Sequence, residues 1–177
     1  MSDDLVISTS GLTKSYNGIQ VLDSLALRVS KNSIFGFLGP NGAGKTTAIK
    51  LMLGLIRPGG GSCSIFGMDA VRDSIAIRRR TGYLAQEPRY YDYMTARQTL
   101  EFVARFFYKG PKPLVNEKMD ECLRMVGLED KADRPTGGFS GGERQRPGIA
   151  RALVNSPDLL TWTSLPHPLT PWGGMKC

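Results

Sequence analysis

The spacing of apolar and polar residues changes several times along the chain, and each change marks an element. Leu5-Val6-Ile7-Ser8 is a short apolar run that reads as a strand, and Val21–Val29 alternates with period two, as a half-buried strand does. Between them Lys14-Ser15-Tyr16-Asn17-Gly18 reads as a turn that carries Tyr16. Ile34-Phe35-Gly36-Phe37-Leu38 is an unbroken apolar run and is expected to be a buried strand. Ala48–Ile56 holds good helix formers, and Arg57-Pro58-Gly59-Gly60-Gly61 breaks them off. Ser62–Phe66 reads as a short strand closed by Gly67, Ser74–Arg80 as a short helix, and Thr81–Gln86 as a strand ending on a glutamine.

From Thr95 onward the period becomes helical. Ala96–Tyr108 and Val115–Val126 both repeat their apolar residues at helical spacing with mixed charge between, and Gly110–Pro113 separates them. Thr136–Phe139 is a loop, Ser140 opens a helix running to Asn155, and Asp158–Trp162 is the next strand. The pattern predicts an α/β core (residues 1–94) with an inserted α-helical subdomain (95–139). A helix and the start of a further core strand follow (140–160), and a tail (161–177) fits neither pattern. Leu100, Phe102, Val103, Phe106 and Phe107 are expected to form the core of the helical subdomain.

Composition narrows this picture only modestly. With 177 residues, 41% of them hydrophobic, the chain is long enough for one sizeable core. No apolar run approaches the roughly 18 residues of a membrane span, and Met1-Ser2-Asp3-Asp4 lacks a signal-peptide pattern. Cys63, Cys122 and Cys177 have neither metal-ligand spacing nor a CxxC pair, and read as reduced thiols of a cytoplasmic protein. The net charge of +7 is scattered apart from Arg78-Arg79-Arg80 and the stretch Arg144–Arg151. A solvated basic surface, rather than a nucleic-acid stripe, is the expectation.

The strongest chemistry lies between the apolar run and the first helix. Gly39-Pro40-Asn41-Gly42-Ala43-Gly44-Lys45-Thr46-Thr47 fits the phosphate-loop pattern G-x-x-x-x-G-K-[ST]. Strand, glycine loop and helix together aim backbone N–H groups and the positive end of a helix dipole at a polyphosphate. Gly42 and Gly44 let the backbone approach closely, Lys45 is expected to reach the β- and γ-phosphates, and the Thr46 hydroxyl to bind Mg²⁺.

A second motif, Phe139-Ser140-Gly141-Gly142-Glu143-Arg144-Gln145-Arg146, resembles the signature of the ATP-binding-cassette (ABC) ATPases. The order of phosphate loop, strand-end glutamine and signature is similar to that family over residues 5–160. The resemblance implies a P-loop NTPase (RecA-like) core and two cofactors, ATP and Mg²⁺. It implies that Tyr16 stacks on adenine, although an exposed tyrosine also serves plain surface packing. It implies that Gln86 touches Mg²⁺ or the attacking water, although a polar residue at a strand end needs no such role. Ser140, Gly141, Gly142 and Glu143 would contact the γ-phosphate held by the other subunit of a head-to-tail dimer. The implied partner is a separate transmembrane subunit, which some apolar residues of Ala96–Tyr108 would face. The segment Met94–Phe102 resembles exporter-type subunits.

The chain departs from the family twice. Pro147 stands inside the signature helix, where it removes the hydrogen bond to the Glu143 carbonyl and is expected to kink the helix. The larger departure follows Leu160. Thr163 stands where the family has the Mg²⁺-orienting aspartate, and Ser164 where it has the glutamate that polarises water. Neither can act as a general base, and no acidic residue follows Asp158. The only histidine, His167, lies in the tail and is not given the family's γ-phosphate-sensing role.

Back-translation of Thr161–Cys177 accounts for the tail. Codons chosen for these residues, read two bases later, give LDEPTSPLDPVGRHEV, which carries the missing family motif. The aspartate codon aligned with Thr163 is forced by Trp162 and Thr163. The tail is therefore expected to be out of frame and the C-terminal part of the core to be missing, which leaves one side of the central sheet uncovered. The resemblance implies an ATP-binding transporter subunit whose hydrolysis is lost in this chain. A soluble ATPase of the same type acting on the ribosome or nucleic acid, and an inert nucleotide-binding fragment, remain open beside it.

Overall fold

The computed structural model describes residues 4–85 and 89–163. The chain divides into two units, residues 1–81 and 82–177.

The first unit is built on a long hairpin. β1 (Leu5–Tyr16) and β2 (Ile19–Ser30) pair antiparallel from Leu5↔Ser30 to Tyr16↔Ile19. Asn17 and Gly18 close it with φ of 49° and 80°, the positive angles that a two-residue hairpin turn requires. Tyr16 is thus the last residue of β1 and not a turn residue. β1 also runs well beyond the apolar stretch at Leu5–Ser8. Gly11 hid that continuation: it sits at φ 56°, within the register shift between Thr9 and Leu12.

β3 (Gly60–Ile65) pairs with the other edge of β1, and β4 (Met68–Asp69) with β3, giving an antiparallel sheet of order β2-β1-β3-β4. α1 (Lys45–Met52) buries Ala48, Ile49, Leu51 and Met52. Leu12, Ile65 and Ile77, the last from α2 (Ser74–Arg79), are also fully buried in this unit.

One expected strand is not there. Ile34–Leu38 forms no strand; Ile34, Phe35 and Leu38 are exposed, Ile34 completely. A strand that is apolar on both faces persists only with neighbours on both edges and cover above and below. Among the described residues no strand pairs with this segment.

The second unit contains a two-stranded sheet of β5 (Thr81–Leu84) and β6 (Leu159–Trp162) and three helices. These are α3 (Ala96–Phe107), α4 (Lys112–Met125) and α5 (Gly141–Leu153). Leu100, Ala104, Met119, Leu123, Leu128, Ala150 and Val154 meet in one core. Tyr108 donates from its hydroxyl to the Val154 carbonyl (2.8 Å), and Arg97 bridges Asp120 (2.5 Å) and Asp133 (3.2 Å). Gly82 lets β5 press against its neighbours: a Cβ there would lie 2.1 Å from the Ala152 carbonyl oxygen and 2.9 Å from Leu160 Cδ1.

The apolar positions of α3 are not all core. Leu100 is buried and Val103 partly so, but Phe102 is 54% and Phe106 69% exposed, and Phe107 is also exposed. At 100° per residue Phe102 lies on the far side of the helix from Leu100, and Phe106 sits one turn beyond it. Their rings meet edge to face at 5.4 Å. α5 runs through Pro147, which is fully buried, and continues to Leu153, so the proline removes a hydrogen bond without ending the helix. Among the described residues no helix is long and apolar enough to cross a membrane.

Candidate functional site

In the first unit the phosphate loop curls back onto itself. Ala43 N–H donates to the Pro40 carbonyl (3.2 Å), and Gly42 and Gly44 take φ of 85° and 79°. Gly44 is the N-cap of α1 and supplies no side chain, and the first turn of α1 contains no acidic residue. The positive end of the helix therefore opens onto Gly39–Ala43 with no carboxylate to repel an anion.

Gly44 is also the point where the loop is held. It is buried, and a Cβ there would lie 2.6 Å from the Val21 carbonyl oxygen of β2. The hairpin that ends in Tyr16 thus sets the position of the loop. The Lys45 amine donates to the Gly39 (2.5 Å) and Pro40 (2.7 Å) carbonyls, which places its positive charge over the loop. Thr46 is exposed and Thr47 half-buried at the start of the same helix. Tyr16 is 44% exposed, with the Lys14 ammonium 5.2 Å from its ring centroid. The Lys14 ammonium covers one face of the ring, and close to half of the residue stays open to solvent.

In the second unit Ser140 caps α5 in a complete capping box with Glu143. The Ser140 N–H and hydroxyl both donate to Glu143 Oε2 (2.9 Å each), and the Glu143 N–H donates to Ser140 Oγ (3.4 Å). Gly141 and Gly142 are exposed, and a Cβ on either would meet nothing within 4 Å. Their glycine character answers no internal packing need, and it leaves the helix N-terminus bare toward an incoming group. The other carboxylate oxygen of Glu143 accepts from the Lys131 ammonium. That pairing, with the two Ser140 donors, pulls the Glu143 carboxyl down to about 2. Arg144 pairs with Asp92, and Arg134 donates to the Gly138 carbonyl (2.7 Å) with its guanidinium over the Phe139 ring.

Lys131, Asp92 and Arg134 were not singled out by the sequence. Lys131 lies in a one-turn 3₁₀ segment (Glu129–Lys131) and meets a carboxylate twelve positions along the chain, a distance that no local pattern reports. Gln86 and Ser164 lie outside the described residues. Thr163, where the resemblance puts an aspartate, follows β6 directly, with its N–H on the Leu84 carbonyl (3.4 Å). Asp158 is exposed and precedes β6, so it stands at the wrong end of that strand to replace it. The described residues contain no group of three or more His, Cys, Asp or Glu able to hold a metal ion.

Comparison with known proteins agrees with this arrangement. Residues 22–162 match the family described as ABC transporter. The chain is 40% identical over 168 residues to the bacitracin transport ATP-binding protein BcrA of Bacillus licheniformis, covering 95% of this chain and 54% of that protein. It is 38% identical over 155 residues to the daunorubicin/doxorubicin resistance ATP-binding protein DrrA of Streptomyces peucetius, covering 87% and 46%. Among solved structures, an ATP-binding subunit of an ABC transporter superposes with a TM-score of 0.78 at 26% identity, covering 89% of this chain and 65% of that one. The CbiO1 protein of Clostridium perfringens, part of the transporter complex CbiONQ, gives 0.80 at 24% identity and shows the shared fold.

The fold is that of a P-loop ATPase domain, and the chain belongs to the ABC transporter family. It spans about half the length of the curated relatives it matches.

Proposed function

We propose that this chain is an ATP-binding subunit that works with a separate membrane subunit of a transporter, and that it binds nucleotide without turning it over. The observation that carries the reading is the bare, acid-free N-terminus of α1 behind Gly44, with the Lys45 amine over the loop. These groups fit a triphosphate. Backbone N–H groups would hold the phosphates, Lys45 would exchange its two carbonyl partners for phosphate oxygens, and Tyr16 would stack on the base. Mg²⁺ would arrive on the nucleotide's own oxygens, with the Thr46 hydroxyl and Gln86 as protein ligands; bound there, it would neutralise phosphate charge.

The position that should orient the metal carries the neutral hydroxyl of Thr163, and Ser164 replaces the base. Loss of a positioned base costs roughly 10²–10⁴ in rate. The family match ends at Trp162, immediately before these two residues, and the reading of 161–177 as an out-of-frame tail rests on the back-translation. Ser140, Gly141 and Gly142 would complete the γ-phosphate contact in a partner copy, head to tail. The exposed Phe102 and Phe106 support α3 as the face turned to a membrane subunit on the cytoplasmic side. The bacitracin transport named for BcrA and the daunorubicin/doxorubicin resistance named for DrrA suggest transport of a drug-like compound as the process served.

Equilibrium dialysis with Mg-ATP, with phosphate release followed on the same sample, tests this reading. Retained ATP with background phosphate is expected; sustained phosphate release would overturn the loss of hydrolysis, and no retention would overturn the site. Sequencing the coding DNA across Thr161 tests the tail, because a shifted frame that fails to read Asp-Glu-Pro would rule it out.

A further inference from the structure

The N-terminus of α5, proposed above as the surface that receives a γ-phosphate, carries an acidic residue in its own first turn. Glu143 sits at the third helical position with Gly141 and Gly142 exposed ahead of it. A carboxylate there satisfies the helix, but it also competes with any phosphate for the same N–H groups and repels it. The first turn of α1, which cradles the phosphates in the other half of the site, contains no such acid.

The structure shows how the repulsion is offset. Glu143 Oε2 takes both donors of Ser140, while the Lys131 ammonium occupies Oε1. Lys131 lies in a segment flanked by two buried residues, Leu128 and Ala132. The second acid near this helix end, Asp92, is likewise paired, with Arg144. Arg134 adds a positive charge whose donor goes to a carbonyl and not to an acid. With Lys131 in place, these five charged groups sum to one positive charge; without it they sum to zero.

We infer that Lys131 is a positioning residue for the phosphate contact of the signature helix: it neutralises Glu143 and holds that carboxylate on the Ser140 cap, so that the exposed N–H groups of Gly141 and Gly142 are left to receive the γ-phosphate. The inference rests on the proposed ATP-dependent, head-to-tail contact. It predicts more than a structural staple would. Lys131→Met leaves the Glu143 charge unneutralised, and charges at a helix terminus shift an equilibrium by roughly two- to fivefold. Glu143→Gln keeps the geometry of the cap and removes the charge, so it rescues Lys131→Met.

The test is the Mg-ATP concentration at half-maximal self-association of the full chain, measured by sedimentation at low salt. Wild type, Lys131→Met, and the double variant Lys131→Met with Glu143→Gln are compared. The expected order is a midpoint raised about two- to fivefold in the single variant and restored in the double variant. The single variant's shift should shrink at high salt, as surface charge effects do. Three outcomes overturn the inference. If wild type associates and Lys131→Met matches it, only Lys131 is misassigned. If the double variant stays as impaired as the single, Lys131 acts as a staple and not through charge. If wild type shows no ATP-dependent association, the head-to-tail reading fails and the inference falls with it. Melting temperatures of the three proteins separate any loss of folding from loss of association.

Discussion

Gly42 and Gly44 have nearly the same backbone angle but different surroundings, so alanine at each position separates conformational strain from steric strain. Both substitutions force an L-residue into the left-handed region, at about 1–2 kcal/mol each. Alanine also lowers the entropy of the unfolded chain, which returns about 0.4–1 kcal/mol. At Gly42 nothing lies within 4 Å of the new Cβ, so the net loss there is about 0–1.6 kcal/mol. At Gly44 the Cβ lands 2.6 Å from the Val21 carbonyl oxygen, a backbone atom that cannot swing aside. Relieving such an overlap adds about 1–3 kcal/mol, for a total of about 1–5 kcal/mol.

Urea denaturation followed by far-ultraviolet circular dichroism reads both variants against wild type. Gly44→Ala should lose at least about 1 kcal/mol more than Gly42→Ala. Gly44→Ala should also weaken ATP binding, because the displaced hairpin carries Tyr16. Equal losses would mean that the loop is not seated on β2 as described.

Leu100→Ala should destabilise the second unit by about 2–5 kcal/mol in denaturant, whereas Phe102→Ser and Phe106→Ser, on the exposed face of the same helix, should each cost no more than about 1.5 kcal/mol, chiefly the loss of their ring pair. Gly82→Ala should rank with the core substitutions despite adding one methyl group, because that methyl meets the Ala152 carbonyl at 2.1 Å; a melting temperature like that of wild type would contradict the packing. The Glu143 carboxyl lies below its ordinary value, at about 2, so its contribution is present above the unfolded carboxylate range and is lost as pH falls toward 2. The stability difference between wild type and Lys131→Met, followed by thermal melts, should accordingly hold at neutral pH and shrink below about pH 4.

Much of this architecture was legible because it is local. Ser140 announces the start of a helix, Asn17-Gly18 a turn, and the period of Ala96–Phe107 a helix. The failures have physical causes as well. Ile34–Leu38 has the composition of a buried strand, but burial depends on partners, and among the described residues no strand pairs with it. Phe102 and Phe106 fit a helical period, yet the period states that two residues share a face without stating what covers that face. Lys131 and Asp92 act through contacts made only after folding, and the sequence holds no trace of them.

The central claim is that the loop from Gly39 to Thr47 binds a nucleotide triphosphate through Lys45. The most direct test is the melting temperature of wild type and Lys45→Ala against increasing Mg-ATP. Ligand at 100 times Kd stabilises the folded state by about 2.7 kcal/mol, so a clear rise is expected in wild type and little or none in Lys45→Ala. A flat wild-type curve, or an equal rise in the variant, would contradict the account.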